Sequence, residues 1–76
     1  MNETRHIAQL DVGESAILGE MNLPREASTR LEEMGFLPGA AIRLVRRAPL
    51  GCPIEFEVAG ARLAIRGRDA DQIFVQ

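Results

Sequence analysis

Tryptophan, tyrosine and lysine are absent from this sequence, and Cys52 is its only cysteine. The three aromatic residues are phenylalanines that a core needs, so we expect no exposed aromatic platform for single-stranded nucleic acid or proline-rich peptides. One cysteine cannot form a disulfide within a chain, which fits a reducing compartment. No apolar run approaches the ~18 residues that span a bilayer, and no signal-peptide pattern opens the chain, so the sequence predicts a cytoplasmic protein without membrane insertion.

The length and composition favour one small globular domain over residues 1–76. Hydrophobic residues make up 46% of the chain and charged residues 26%, which is typical of a folded domain and not of a disordered one. Charge is unevenly spread: residues 1–39 hold seven acidic residues and three arginines (net −4), whereas residues 40–76 hold four acidic residues and six arginines (net +2). The basic second half makes nucleic acid one candidate partner.

The first half of the chain predicts one short strand followed by one helix. "SAILGE" at 15–20 reads as a strand, and the apolar residues Ile7 and Leu10 ahead of it are expected to reach the core. The helix is expected over about 24–34, with Asn22 or Leu23 as its N-cap and Pro24 in the first turn, where a missing N–H is harmless. An apolar stripe facing the core and one i,i+4 ion pair are expected along it: Leu23, Ala27, Leu31 and Met34 in the stripe, Glu26 and Arg30 in the pair.

"GFLPGA", at 35–40, predicts a helix ending followed directly by a turn. Gly35 suits the left-handed conformation just past a helix, and Phe36 would then contact Leu31 as in a Schellman ending. Pro38 and Gly39 occupy the second and third positions that a type II turn favours. We therefore interpret this corner as structural.

The second half of the chain alternates as strands joined by hairpins. Ala59 and Gly60 mark a tight hairpin turn. Asp69 with Gln72 three residues later matches a capping box and predicts one helical turn near 69–72. The remaining strands are expected at 41–48, 54–60, 61–67 and 73–76. About five short strands with tight corners favour a mainly β fold, a small, partly open barrel with one inserted helix.

Catalytic and metal chemistry find little support in the sequence. His6, the only histidine, lies near an N-terminus expected to be loose, and Cys52 has no histidine near it in sequence. The acidic pair at 55 and 57 is typical of a solvated strand face, and the pair at 69 and 71 of a helix cap. Neither pair brings the third and fourth ligands of a metal site. We expect a protein that is not an enzyme and has no cofactor, with transition-metal binding left open but unsupported by any ligand cluster.

Nucleic-acid binding is the next alternative, because the second half is rich in arginine. Strand alternation, however, sends Arg46 and Arg47 to opposite faces, and Glu55 and Glu57 are expected to be cross-strand partners of arginines. The acidic isoelectric point of about 5.3 also weakens this alternative, so no nucleic-acid partner is expected. The arginines that could form a basic stripe are Arg43, Arg46, Arg47, Arg62, Arg66 and Arg68.

Protein binding is favoured by the segment "APLGCP", at 48–53. Leu50 stands at the tip of this loop, where a purely structural turn more often carries Asp, Asn or Ser. Prolines on either side stiffen the loop and lower the cost of ordering it on binding. The predicted partner-binding residues are Pro49, Leu50, Gly51, Cys52 and Pro53.

The ordered motifs R-L-x-E-M-G-x-x-P-G, R-x-A-P-L-G-x-P and G-x-x-L-A-I-R run through residues 30–75, and "LDVGESAILG" at 10–19 precedes them. Together they closely resemble the FeoA family of small cytosolic proteins of bacterial ferrous iron uptake. The resemblance implies an SH3-like barrel with an inserted helix. It also implies a partner, the FeoB-type membrane iron transporter, contacted through its cytosolic part, and a regulatory or assembly role without catalysis.

The resemblance leaves several properties open. Family members often carry Asp where this chain has Cys52, so a polar contact at that position is in doubt; a cysteine could instead pair between chains or bind a soft metal. A weak homo-oligomer, and recruitment to the inner face of the membrane through the partner, remain open as well. The alternative is the FeoA-like barrel module of metal-dependent transcriptional repressors. Such modules follow a DNA-binding winged helix, which we do not expect here, so this alternative is disfavoured.

Overall fold

The computed structural model describes residues 5–76, in which five strands and two short helices enclose one apolar core. The strands are antiparallel throughout and form one sheet in the order β4-β3-β2-β1-β5. The predicted mainly β fold of five short strands with one inserted helix is confirmed. The elements in chain order are a 3-10 helix (Ile7–Gln9), β1 (Ser15–Met21), α1 (Arg25–Glu33), β2 (Ala41–Arg47), β3 (Ile54–Val58), β4 (Ala61–Ile65), α2 (Gly67–Ala70) and β5 (Ile73–Val75).

Alternation along the strands supplies the core, as β3 shows most clearly. Ile54, Phe56 and Val58 point inward and are buried, while Glu55 and Glu57 between them face outward. The rings of Phe56 and Phe36 meet edge to face with centroids 6.2 Å apart. The buried apolar residues are Ile7, Leu10, Leu18, Phe36, Ile42, Leu44, Ile54, Phe56, Val58, Leu63, Ile65, Ala70 and Ile73.

The segment that begins at Arg5 is hydrogen-bonded to the sheet, so His6 is part of the fold; residues 1–4, where a loose N-terminus was expected, lie outside the described residues. The carbonyl of Arg5 accepts a hydrogen bond from the Val75 N–H at 2.9 Å, and His6 forms an isolated antiparallel bridge with Phe74 in β5. Ile7 and Leu10 are buried, as the sequence predicts. Through these contacts the segment covers the outer edge of β5.

The end of α1 has the predicted Schellman geometry. The N–H of Phe36 donates to the carbonyl of Leu31, and the N–H of Gly35 donates to that of Glu32, both at 3.0 Å. Gly35 has a φ of +96°, and Phe36 is fully buried. The ending of the helix therefore places the side chain of Phe36, just beyond it, in the core.

The type II turn that follows is also confirmed, and it is attached to β1. The Ala40 N–H donates to the Leu37 carbonyl at 2.9 Å, and Gly39 has a φ of +94°. Gly39 then donates to the carbonyl of Leu18 at 2.7 Å, while the Leu18 N–H donates to Ala40 at 2.8 Å. These two hydrogen bonds fix the position at which the chain enters β2.

The N-cap of α1 and the burial of its apolar stripe differ from the prediction. Pro24 is the N-cap, because its carbonyl accepts the first helical bond from Ser28 at 3.0 Å. The Asn22 N–H instead donates to the carbonyl of Gln72 at 2.7 Å. The residues around Asn22 in the sequence could not predict this contact, because Gln72 lies far along the chain. No residue of α1 is fully buried, and Met34 is 48% exposed, so the stripe is only partly covered. Within residues 5–76, the expected ion pair between the helix positions 26 and 30 does not form.

The helical turn before β5 begins earlier than predicted. It spans Gly67–Ala70 with Arg66 as N-cap, so the predicted capping role of Asp69 is wrong. The Asp69 N–H donates to Arg66 at 3.0 Å, which places this aspartate inside the turn. At this earlier start, the Gly67 N–H bonds to Cys52 in the loop between β2 and β3.

The tight hairpin between β3 and β4 is confirmed and holds one strained residue. Both turn residues are left-handed, Ala59 with a φ of +51° and Gly60 with a φ of +83°. Glycine enters this conformation freely, whereas alanine pays for a close approach of its Cβ to the backbone.

We expect Ala59→Asn to raise the free energy of unfolding by about 1 kcal/mol, because asparagine tolerates the left-handed region better than alanine. Urea denaturation of both proteins measures the change. Ala61→Asn, placed in β4 just beyond the turn, is the matched control and should give no gain. An unchanged midpoint for Ala59→Asn would contradict the strain at this turn.

Candidate interaction surface

The predicted contact loop, residues 48–53, connects β2 to β3 and is fixed at its base by two hydrogen bonds. The Gly51 N–H donates to Ala48 at 2.7 Å, and the Ala48 N–H donates to Pro53 at 3.0 Å. The loop side chains from Pro49 onward are exposed, and Leu50 is 97% exposed. A large apolar side chain is thus presented on a short, internally bonded loop.

Cys52 joins this loop to the start of α2. Its Sγ accepts a hydrogen bond from the Gly67 N–H at 3.1 Å, the first free amide of the helical turn. The unpaired amide at the start of α2 thus has its acceptor in a residue 15 positions earlier in the chain. The polar contact left in doubt at Cys52 is therefore a contact within the chain.

Replacing Cys52 should change stability in proportion to the acceptor strength of the new side chain. We expect Cys52→Asp to raise the free energy of unfolding by about 0.5–1 kcal/mol, and Cys52→Val to lower it by about 1 kcal/mol. Chemical denaturation under reducing conditions measures both, with Cys52→Ser as the control that keeps a small acceptor. Equal stability of the Val variant and the parent would contradict a structural role of this hydrogen bond.

A groove lies between α1 and β4, and the sequence analysis did not predict it. Its volume is about 370 Å³. The apolar stripe of α1, which the sequence analysis placed against the core, forms one wall of the groove and is only partly buried. The helical spacing of its residues was the sequence feature that could have indicated the groove. The lining residues are Leu23, Ala27, Arg30, Leu31, Ala64, Ile65, Arg66 and Asp69.

The arginines of β2 do not assemble into a basic stripe. Arg43 pairs with Glu57 at 2.6 Å and Arg46 with Glu55 at 3.4 Å, so the predicted cross-strand pairing is confirmed. Arg47 turns to the other side and donates to the carbonyls of residues 8 and 10, both at 2.8 Å. The outer face of β2 and β3 is therefore largely neutralised by its own ion pairs.

The pairing with Arg43 lowers the pKa of the Glu57 carboxyl below its ordinary value of 4.5, through a hydrogen bond and the positive charge. Arg5 lowers the pKa of Glu14 in the same way, helped by the Asp11 N–H. Because each pKa is lower in the folded than in the unfolded state, each pair stabilises the fold above the ordinary pKa. That contribution is lost as the pH falls through the lowered value.

We expect an NMR titration to give Glu57 a pKa below 4.5, and Arg43→Gln to move that pKa back toward 4.5. Arg25→Gln, which removes an equal charge on α1, is the control and should leave the pKa of Glu57 unchanged. The same pKa in the parent and in Arg43→Gln would contradict the pairing.

Groups that could perform catalysis or hold a metal are not gathered within the described chain. The Nδ1 of His6 lies 3.8 Å from the Oδ1 of Asp71, whereas Cys52 contacts Gly67. Across residues 5–76, no three His, Cys, Asp or Glu side chains converge as a metal site would require. In the same residues, no helix has the length and apolarity to cross a membrane.

The fold and these surfaces define a small, open β-barrel with an inserted helix, which presents an apolar loop and a groove. A family model for the FeoA domain matches residues 5–76. The chain belongs to the FeoA domain family, as its sequence motifs predict. A search of curated protein sequences finds no match.

Solved structures of FeoA proteins share the fold. The FeoA protein of Chlorobium tepidum is 30% identical, with a TM-score of 0.91 over 95% of this chain and 69% of that one. The FeoA of Stenotrophomonas maltophilia, solved with zinc, is 28% identical, with a TM-score of 0.78 over 95% of this chain and 89% of that one. The latter is described as a prokaryotic SH3 domain protein and a candidate ferrous iron transport activating factor, so the SH3-like prediction is confirmed.

A manganese-dependent transcriptional repressor contains a similar barrel. It is 14% identical, with a TM-score of 0.82 over 95% of this chain and 40% of the repressor. At this identity the likeness concerns the fold alone.

Proposed function

We propose that this chain is a cytoplasmic accessory protein of bacterial ferrous iron uptake that binds a FeoB-type membrane transporter through the 48–53 loop. Membership in the FeoA family supports the role in iron transport. The single observation that supports the loop is the 97% exposure of Leu50 on a segment fixed by its own hydrogen bonds. An apolar side chain held in place in this way can bury itself against a partner at little entropic cost.

The proposed action is binding alone, without a reaction, a resident metal or a nucleic-acid partner. The ion pairs of Arg43 and Arg46 support the last point for the outer face of β2 and β3, because a guanidinium group already paired with a carboxylate is less available to a phosphate. The transporter would recruit the chain to the inner face of the membrane through its contact with the 48–53 loop. Control of the transporter would follow from where the loop docks.

We expect Leu50→Asp to fold normally and to lower the amount of FeoB-type cytosolic domain retained in a pull-down by more than about tenfold, because it replaces an apolar anchor with a charge. Val12→Asp is the matched control, since Val12 is 63% exposed and lies outside the loop. It should bind as the parent does.

The pull-down is performed with and without guanine nucleotide and Fe²⁺, so that a state-dependent contact is not missed. Circular dichroism of each variant verifies folding. Undiminished retention of the transporter domain by Leu50→Asp would contradict the role of the loop.

A further inference from the structure

β4 is an edge strand with unused backbone groups. The two-residue turn makes Val58 and Ala61 a hydrogen-bonded pair, so the register directs the backbone of Arg62 and Ala64 away from β3. Among the described residues, no other backbone group bonds to these two. Such an edge can accept an added strand.

The groove described above runs along this edge. Ala64 and Ile65 form one wall, and Leu23 and Leu31 of the helix stripe form part of the other. Both leucines are only partly buried against the core. An extended chain laid along β4 would therefore meet an apolar wall on the side of α1 with every second side chain.

The charge around the groove selects the occupant. Arg30 and Arg66 line it, and neither forms an ion pair within residues 5–76. Arg62, two residues before Ala64 in β4, lies opposite Glu57 in β3. Asp69 is the acidic residue in the lining. The unpaired arginines therefore favour a chain that carries carboxylates.

The same arginines disfavour a second copy of this protein. If two β4 strands paired antiparallel around Ala64, Arg62 of one copy would lie opposite Arg66 of the other. Like charges directly opposite each other destabilise a strand pair. Self-pairing in this register is thus disfavoured, whereas an acidic strand would bring opposite charge to these arginines.

We propose that the groove between α1 and β4 binds an extended, acidic peptide segment of a partner protein, which adds to β4 as a sixth strand. Its backbone bonds to Arg62 and Ala64, and its carboxylates meet Arg66 and Arg30. This surface is distinct from the 48–53 loop and does not depend on the loop binding the transporter.

The test uses two synthetic peptides of about eight residues, one alternating valine and glutamate and one alternating valine and lysine. Amide hydrogen exchange of the ¹⁵N-labelled full chain is followed by NMR. We expect the glutamate peptide to slow exchange at the Arg62 and Ala64 amides about tenfold or more at saturation. The lysine peptide should leave both amides unchanged.

Variants separate strand addition from general charge attraction. Arg66→Glu should weaken binding of the glutamate peptide about tenfold, whereas Arg25→Glu, an equal charge change outside the groove, should not. Ala64→Pro removes the outward N–H at an edge position that tolerates proline, and should abolish binding. If Ala64→Pro fails to fold, Arg66→Glu alone decides. Leu50→Asp should bind the peptide normally, which separates this proposal from that for the loop.

Three results would overturn the proposal. The first is unchanged exchange at both amides in the presence of the glutamate peptide. The second is equal loss of binding in Arg66→Glu and Arg25→Glu, which indicates unspecific attraction. The third is protection of the same amides by raising the protein concentration without peptide, which identifies a second copy as the occupant.

Discussion

Burial of Phe36 at the corner between α1 and β2 is the constraint on which the rest of the structure depends. The Schellman bonds at Gly35 place this ring against Phe56, and the following turn bonds to Leu18 in β1. The corner therefore holds the C-terminal end of the helix to the sheet and sets the entry of β2 in one step. Since α1 itself contributes no fully buried residue, its side remains over the edge of β4 as a groove wall.

The two candidate surfaces meet at one end of the barrel. The hydrogen bond from Gly67 to Cys52 brings the contact loop to the start of α2, and Arg66 beside it lines the groove. By contrast, the outer face of β2 and β3 carries arginines that are already paired with Glu55 and Glu57. Within the described residues, the molecule thus has a neutralised face and an end with exposed leucine and unpaired arginine, and both of our binding proposals concern that end.

Local sequence patterns were sufficient for the elements whose causes are local. The alternation of β3, the glycine at position 35 and the turn at Pro38 and Gly39 each carry their own structural reason within a few residues. The helix starts were missed because the contacts made there are distant in sequence: Asn22 bonds to Gln72, and the amide of Gly67 bonds to Cys52. The groove was missed because helical spacing shows which residues share a face, but not how deeply the core covers it.

The central claim is our proposal that the 48–53 loop is the surface through which a FeoB-type transporter is bound. The most direct measurement is the NMR footprint of a FeoB-type cytosolic domain on the ¹⁵N-labelled chain. We expect perturbed amides to cluster from Leu50 to Cys52 and at Gly67, whose amide bonds to Cys52, with the outer face around Arg43 and Glu57 unaffected. A footprint centred on that paired face, with the loop unchanged, would contradict the account.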